Sequence, residues 1–320
     1  MLEENGYVLI IGSSNMDLNI YLKHFPNPGE TVTGGIFKKF LGGKGANQAV
    51  ASVRSGSKTI FIGKIGTDLF GDQMVSTLAN EGINTDHLIR DSKDPSGVAF
   101  ILIDENGENM ISVAPGANVN LKPEEVRSKT QLIKNANSVV VQMEIPIKTI
   151  QEVFNVASEG NCIKILNPAP LKHLPVEILR NVDIVIPNEG ELSRLHNQLG
   201  FKNRLNEGKQ KIVQISRDIA DLGVEFIITT LGNKGSIIFE KKTNKFFEIA
   251  APTVHTVDTV GAGDCFIGVL ASFLNKGETI LNAVKFATVA ASIAVTRKGA
   301  QESMPYLSEI LNKFKELNLN

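Results

Sequence analysis

The densest chemistry-bearing stretch in this chain is Asp258-Thr259-Val260-Gly261-Ala262-Gly263-Asp264. A flexible Gly-Ala-Gly bend ends there in a carboxylate. Phe266, Leu270, Phe273 and Leu274 follow at i, i+4, i+7 and i+8, one face of a helix, so Asp264 falls in that helix's first turn. Free N–H groups and the positive end of the helix dipole make such a position an anion site. An anion site beside a carboxylate suits phosphoryl transfer. The N–H groups stabilise the moving charge, and Asp264 accepts a proton from the attacking hydroxyl. The plainer reading is a shaped turn with an acidic residue favoured by the dipole.

Four further groups fit around that chemistry. Leu41-Gly42-Gly43-Lys44-Gly45-Ala46-Asn47 is a glycine-rich turn opening a helix. It lacks the G-x-x-x-x-G-K-[ST] spacing of a phosphate loop, but its glycines admit close approach, and Lys44 and Asn47 supply donors suited to a polyol. Asn15 and Asp17, separated by Met16, alternate onto one side of an extended segment and could grip neighbouring hydroxyls; an Asx turn is the alternative. Asn188 and Glu191 are three apart at a helix start, where they could hold hydrated Mg²⁺ or simply cap the helix. Thr229-Thr230-Leu231-Gly232-Asn233-Lys234-Gly235 could carry a nucleotide's phosphates or ribose, or be an ordinary strand–turn–strand link. Glu144, read alone, is a solvated acid, and Arg297-Lys298-Gly299 is helix capping.

Those residues need a scaffold that brings strand ends together. Val8–Ile11, Thr59–Ile65, Ser138–Gln142, Ile163–Leu166, Asp183–Ile186 and Glu225–Thr230 read as short buried strands. Helical patterns lie between them at Lys44–Ser55, Phe70–Glu81, Ile147–Gly160, Leu174–Leu179 and Gly208–Leu222, and again from Thr279 and over Ser308–Leu317. The alternation predicts an α/β fold with a mostly parallel sheet covered by helices on both faces, and ligands at the carboxyl ends of its strands. Thr31–Leu41, Val98–Ile103 and Asn109–Val113, the last two joined by Asp104-Glu105-Asn106-Gly107, read as a small antiparallel sheet outside the main core. A lid over the site is the functional reading, and an exposed flap edge also favours pairing with a second subunit.

The chain has 320 residues, 42% hydrophobic, with a net charge of −1, so no basic surface points to nucleic acid. Cys162 and Cys265 lie far apart, form no metal cluster and suit a reducing compartment. Cys265 reads as a packing residue. The acidic start Met1-Leu2-Glu3-Glu4-Asn5 and the short apolar run after it do not form a signal or membrane segment, and a cytoplasmic enzyme is expected. The turn after the first strand, Gly-Ser-Ser-Asn, argues against a dinucleotide-binding G-x-G-x-x-G.

In order along the chain, Gly42-Gly43-Lys44-Gly45-Ala46-Asn47, Asn188-x-x-Glu191 and Asp258-Thr259-Val260-Gly261-Ala262-Gly263-Asp264 resemble the markers of the ribokinase-like (PfkB) carbohydrate kinase family, from Val8 to about Pro305. Ala114-Pro115-Gly116-Ala117-Asn118 and Thr296-Arg297-Lys298-Gly299-Ala300-Gln301 resemble its ribose-specific branch, where fructokinases and nucleoside kinases usually differ. The resemblance implies one kinase domain over residues 1–320 with lid segments near 13–43 and 97–114. It also implies transfer of phosphate from ATP to the 5-hydroxyl of D-ribose. Asp264 would be the base and Gly261, Ala262 and Gly263 the anion hole. Asn15, Met16, Asp17, Gly42, Gly43, Lys44, Gly45, Ala46, Asn47 and Glu144 would hold the sugar. The nucleotide would meet Asn188, Thr230, Leu231, Gly232, Asn233, Lys234, Gly235, Gly263, Asp264 and Thr288. Asn188 and Glu191 would act on Mg²⁺ through water. K⁺ would sit among Asp258, Val260, Ala294, Arg297, Gly299 and Ser303, and two copies would pair through the lids. Glu302 stands where the family often has proline. A kinase for another sugar or nucleoside, such as deoxyribose, and a non-catalytic sugar-binding relative are the competing readings.

Overall fold

Burial on two faces turns the short apolar runs into strands of one central sheet. The computed structural model describes residues 6–202 and 208–318, so the acidic start lies outside it. β1 (Val8–Ile11) is followed by β2 (Asn15–Tyr21), β3 (Ile36–Gly42), α1 (Lys44–Arg54), β4 (Thr59–Ile62), β5 (Lys64–Gly66), α2 (Leu69–Asn80) and β6 (Ile89–Asp91). β7 (Gly97–Ile103) and β8 (Asn109–Ala114) form a hairpin. A 3-10 turn at Gly116–Asn120, α3 (Pro123–Arg127) and α4 (Thr130–Lys134) lead to β9 (Ser138–Gln142). Next come α5 (Ile147–Ala157), β10 (Ile163–Asn167), α6 (Val176–Leu179), β11 (Ile184–Val185), α7 (Glu189–Gln198), α8 (Lys209–Ala220) and β12 (Phe226–Thr230). β13 (Ser236–Glu240), β14 (Lys245–Ile249), α9 (Ala262–Asn275), α10 (Ile280–Ala294) and α11 (Leu307–Glu316) complete the order.

The main sheet runs β14-β13-β12-β11-β10-β9-β1-β4. It is parallel from β4 to β12 and antiparallel at β12–β13–β14. Alternate residues feed opposite faces, as the two-residue strand period requires. Leu9, Ile11, Val139 and Val141 pack in one core with Phe154 of α5, Leu195 of α7 and Ile215 of α8. Val8, Ile10, Phe61 and Val140 pack in the other with Val50 of α1, Leu270 of α9 and Ala287 of α10. Helices thus cover both faces, as the alternation predicts, and each fully buried Val, Leu or Ile contributes roughly 1.5–3 kcal/mol.

Four departures from the predicted elements have local causes. The strand expected over Thr59–Ile65 breaks at Gly63, and β5 leaves the main sheet to pair with β6. The smaller sheet, β3-β2-β7-β8, is antiparallel at its outer pairs but parallel between β2 and β7, because both strands leave the core in the same direction. Thr31–Gly35 is irregular, and the strand begins at Ile36. The helix expected over Leu174–Leu179 starts only at Val176, after Pro175, which lacks an N–H and stands at the helix start. The hairpin turn forms as expected: Gly107 N–H donates to the Asp104 carbonyl at 3.1 Å, and Asn106 N–H to Asp104 Oδ1 at 2.9 Å. Among the described residues, no helix is long and apolar enough to cross a membrane.

Candidate active site

The carboxyl ends of β1, β9, β10, β11 and β12 open on one side, where α1, α7 and α9 begin. Glycines allow that convergence. Gly43 has φ +87, and a Cβ there would stand 2.7 Å from Ser14 Cα; a Cβ on Gly45 would stand 2.8 Å from the Gly12 backbone. The first turn of α1 therefore rests directly on the turn after β1, and Ala46 N–H donates to the Ser13 carbonyl at 2.9 Å. Gly42 leaves room for another group, since its Cβ would lie 2.1 Å from Asp17 Oδ2.

Asp264 is 6% exposed, at the third position of α9. Gly261 caps that helix in the left-handed region at φ +74, packed against Ala300. Of the three predicted anion-hole donors, Ala262 N–H is spent on the Thr259 carbonyl at 3.3 Å. The N–H groups of Gly261, Gly263 and Asp264 itself find no acceptor among the described residues, so two of the three predicted donors are open and Asp264 N–H joins them in place of Ala262. Each oxygen of the Asp264 carboxylate accepts from one amide. Asn47 Nδ2 lies 3.0 Å from Oδ2, and Gln48 Nε2 lies 3.0 Å from Oδ1.

A cavity of about 90 Å³ adjoins this carboxylate, lined among others by Lys44, Asn167, Asn188, Glu191, Thr230 and Gly263. The negative charge of Asp264 raises the Lys44 ammonium against the opposing effect of burial, with Glu144 and Glu191 adding to it. Lys44 is thus a half-buried cation in the field of carboxylates. Its N–H donates to Glu144 Oε2 at 3.1 Å, and Ser13 hydroxyl donates to the same oxygen. Glu144 is therefore tied to α1 and the β1 turn, not loose in solvent. Burial, then the charges of Glu144, Glu302 and Asp264, push the Asp17 carboxyl up to about 7. Asn15, 5% exposed, accepts through Oδ1 from Asn118 Nδ2 at 2.8 Å.

Several predicted site residues do other work. Met16 is fully buried with Leu41, Ile65 and Met74, and Ala46 packs in the main core, so neither side chain faces the cavity; alternation sends Met16 to the opposite side of β2 from Asn15 and Asp17. Asn188 does cap α7: its Oδ1 accepts from Glu191 N–H at 2.8 Å, and Glu191 Oε2 accepts from Asn188 N–H at 2.9 Å. Both residues also line the cavity. Beyond Thr230, Gly232, Asn233 and Lys234 are an exposed turn, and Leu231 packs against the core. Gly235, with φ +95, is required because a Cβ would meet Ile249 carbonyl at 1.9 Å. Thr288 is buried in α10, away from the cavity lining, with its hydroxyl unpartnered among the described residues.

Of the residues expected around K⁺, Asp258, Val260 and Gly299 are joined by hydrogen bonds. Asp258 accepts from Val260 N–H and Gly299 N–H, both at 3.0 Å, which joins the loop before α9 to the loop after α10. Arg297 N–H returns to the Ala294 carbonyl at 3.0 Å, Ser303 hydroxyl donates to the Ala300 carbonyl at 2.8 Å, and the Arg297 guanidinium pairs with Glu309 rather than capping α10. Carbonyl, hydroxyl and carboxylate oxygens suit a hard, weakly charged cation. Among the described residues there is no cluster of three or more His, Cys, Asp or Glu that could hold a metal. Cys265 is fully buried and its thiol is pushed up to about 12 by burial, as a packing residue's should be.

Sequence reasoning left Gln48, Gln142, Asn167 and Gln301 without a role. Asn167 carried a usable signal, a polar residue ending an apolar strand. Gln142, the last residue of β9, carried the same signal, whereas fully buried Gln48 sits in the first turns of α1 with nothing local to mark it.

The model of the pfkB family of carbohydrate kinases matches residues 5–307. A ribokinase of Staphylococcus aureus is 37% identical over 305 residues, 95% of this chain and 98% of that one. A deoxyribokinase of Salmonella typhi is 33% identical over 312 residues, 97% of this chain and 99% of that one. Among solved structures, Arabidopsis thaliana ribokinase complexed with ribose and ATP superposes with a TM-score of 0.90 at 30% identity, over 97% of this chain and 99% of that chain.

Proposed function

The chain belongs to the pfkB family of carbohydrate kinases, and on that premise we propose that it transfers phosphate from ATP to the 5-hydroxyl of D-ribose. The observation that carries the reading is the Asp264 carboxylate, held by two amides, beside open N–H groups at the start of α9. Asp264 takes the proton from the 5-hydroxyl as that oxygen bonds to the γ-phosphorus. The bond from phosphorus to the bridging oxygen breaks, and ADP leaves with that electron pair. The N–H groups of Gly263 and Asp264 and the Lys44 ammonium balance charge on the phosphoryl oxygens. Asn15, Asp17, Lys44, Asn47, Glu144 and the Gly43 backbone hold the sugar's hydroxyls. Asn188, Thr230 and Gly263 border the nucleotide.

The oxygen donors at Asn188 and Glu191 fit Mg²⁺ held mainly through its waters, which would neutralise phosphate charge when bound. The oxygens of Asp258, Val260, Ala294, Gly299 and Ser303 fit K⁺, which would order the loop before α9. The chain works as a single kinase domain. Its small sheet, with Ile36, Phe37, Phe100, Met110 and Ile111 exposed, is the lid and the face on which two copies pair. Two free, buried thiols suit the cytoplasm.

The test is ADP release with Mg-ATP over D-ribose, 2-deoxyribose, fructose and nucleosides. Turnover selective for ribose and lost in Asp264→Asn supports the reading. Preference for 2-deoxyribose moves the specificity, in line with the deoxyribokinase likeness. No turnover on any sugar overturns it.

A further inference from the structure

Gln48 lies one residue after Asn47 in α1, is fully buried, and has every polar atom of its amide engaged. Its Nε2 donates to Asp264 Oδ1 at 3.0 Å and approaches Asn167 Oδ1 at 3.4 Å. Its Oε1 accepts from Gln142 Nε2 at 2.7 Å. Asn167 is held in turn, since its Nδ2 donates to the Ile186 carbonyl at 3.0 Å. We propose that Gln48, locked by Gln142, is a positioning residue that fixes the orientation of the Asp264 carboxylate. The proposal rests on the reading of Asp264 as the base.

An amide has two ends of similar shape and opposite character. If Gln48 flipped, its oxygen would face the Asp264 carboxylate, and its NH₂ would face the NH₂ of Gln142. Both contacts are repulsive in a site without water access, so Gln142 selects the productive orientation. Gln142 bears a cost for this place: its own Oε1 is buried without a partner among the described residues. A buried acceptor left unsatisfied is unfavourable for stability alone. Room for Gln142 comes from Gly12, where a Cβ would stand 1.9 Å from Gln142 Oε1. The end of β1 is thereby shaped for this relay.

Asn47 holds the other oxygen and is locked likewise, since its Oδ1 accepts from Gln301 Nε2 at 3.1 Å. Two amide donors, one on each oxygen, hold the carboxylate's orientation.

The experiment compares full-length Gln48→Leu, Gln142→Leu and the double variant with the unaltered protein, in kcat and KM for D-ribose. Losing a hydrogen bond to a charged group, Gln48→Leu lowers kcat about 10- to 100-fold and changes KM by less than about threefold. Gln142→Leu shows the same kcat-specific effect with a smaller loss. The double variant is no slower than Gln48→Leu, since Gln142 acts through Gln48. If Gln48→Leu does not fold, a fall in kcat at constant KM in Gln142→Leu decides alone. A folded Gln48→Leu with unaltered kcat, or losses that multiply in the double variant, overturns the proposal. Asp264→Asn separates the two levels: turnover surviving there overturns the base assignment itself, whereas its loss with Gln48→Leu unaffected overturns only the positioning role.

Discussion

Replacing Asp17 by Asn should stabilise the protein at alkaline pH while weakening its hold on sugar. Burial, then the charges of Glu144, Glu302 and Asp264, raise this carboxyl from 3.8 to about 7. The folded protein therefore holds the Asp17 proton more tightly than the unfolded chain does. Between those two values the folded state binds more protons, so stability from this group falls as pH rises, and the loss is complete above the folded value. At about 1.36 kcal/mol per pH unit, ionised Asp17 costs the fold on the order of 4 kcal/mol above pH 7. Roughly 2–3 kcal/mol of that develops between pH 5 and pH 8. Urea unfolding of the two proteins at those pH values, without sugar, measures it: the stability of Asp17→Asn relative to the unaltered protein should rise by that amount. Sugar binding supplies the functional half. Below about pH 7 the protonated carboxyl loses an acceptor for a sugar hydroxyl. Ribose affinity of the unaltered protein should therefore fall with acidification, and that of the variant should be weak and flat. Parallel pH dependence of unfolding in the two proteins would refute the reasoning.

Four other outcomes are expected. Asn118→Ala frees Asn15 Oδ1 and should weaken sugar binding about tenfold with a smaller effect on kcat, read as a KM-against-kcat split. Gly43→Ala, at φ +87 with Ser14 Cα 2.7 Å away, should lower thermal stability well beyond Gly29→Ala, which has φ +85 but open space around it; equal melting temperatures would mean that strain alone matters at both. Cys265, fully buried with its thiol at about 12, should react with a thiol reagent only on unfolding, so labelling of the native protein at Cys265 would contradict its packing role. Withdrawal of K⁺ should lower turnover, added K⁺ should raise the melting temperature, and Asp258→Asn should abolish both responses.

Much of the fold was legible because apolar runs and their spacing are local. The strands of the parallel sheet and the major helices follow directly from two- and 3.6-residue periods, and β9 has its predicted bounds of Ser138–Gln142. The family resemblance carried by the ordered Gly-rich and Asp-bearing motifs grouped Lys44, Asn188 and Asp264, and all three line one cavity. Pairing was not legible: β2 and β7 are far apart in sequence, and their parallel contact depends on the direction in which each leaves the core. Nor was the break at Gly63, where the chain must turn to reach β6.

Residue types and spacing determined that a carboxylate would sit in the first turn of a helix after a Gly-Ala-Gly bend, and the order of the motifs along the chain pointed to the carbohydrate kinase family. Only tertiary structure decided which of those groups does which task. It sent Met16 into a core, gave Ala262 N–H to Thr259, and left Gly232, Asn233 and Lys234 in solvent. It also brought Gln48 and Gln142, 94 residues apart, into one hydrogen-bonded line onto Asp264. The reason is physical. Periodicity and propensity act over a few residues, whereas an amide buried in an apolar element acquires its meaning from the partner that satisfies it, and that partner comes from another strand.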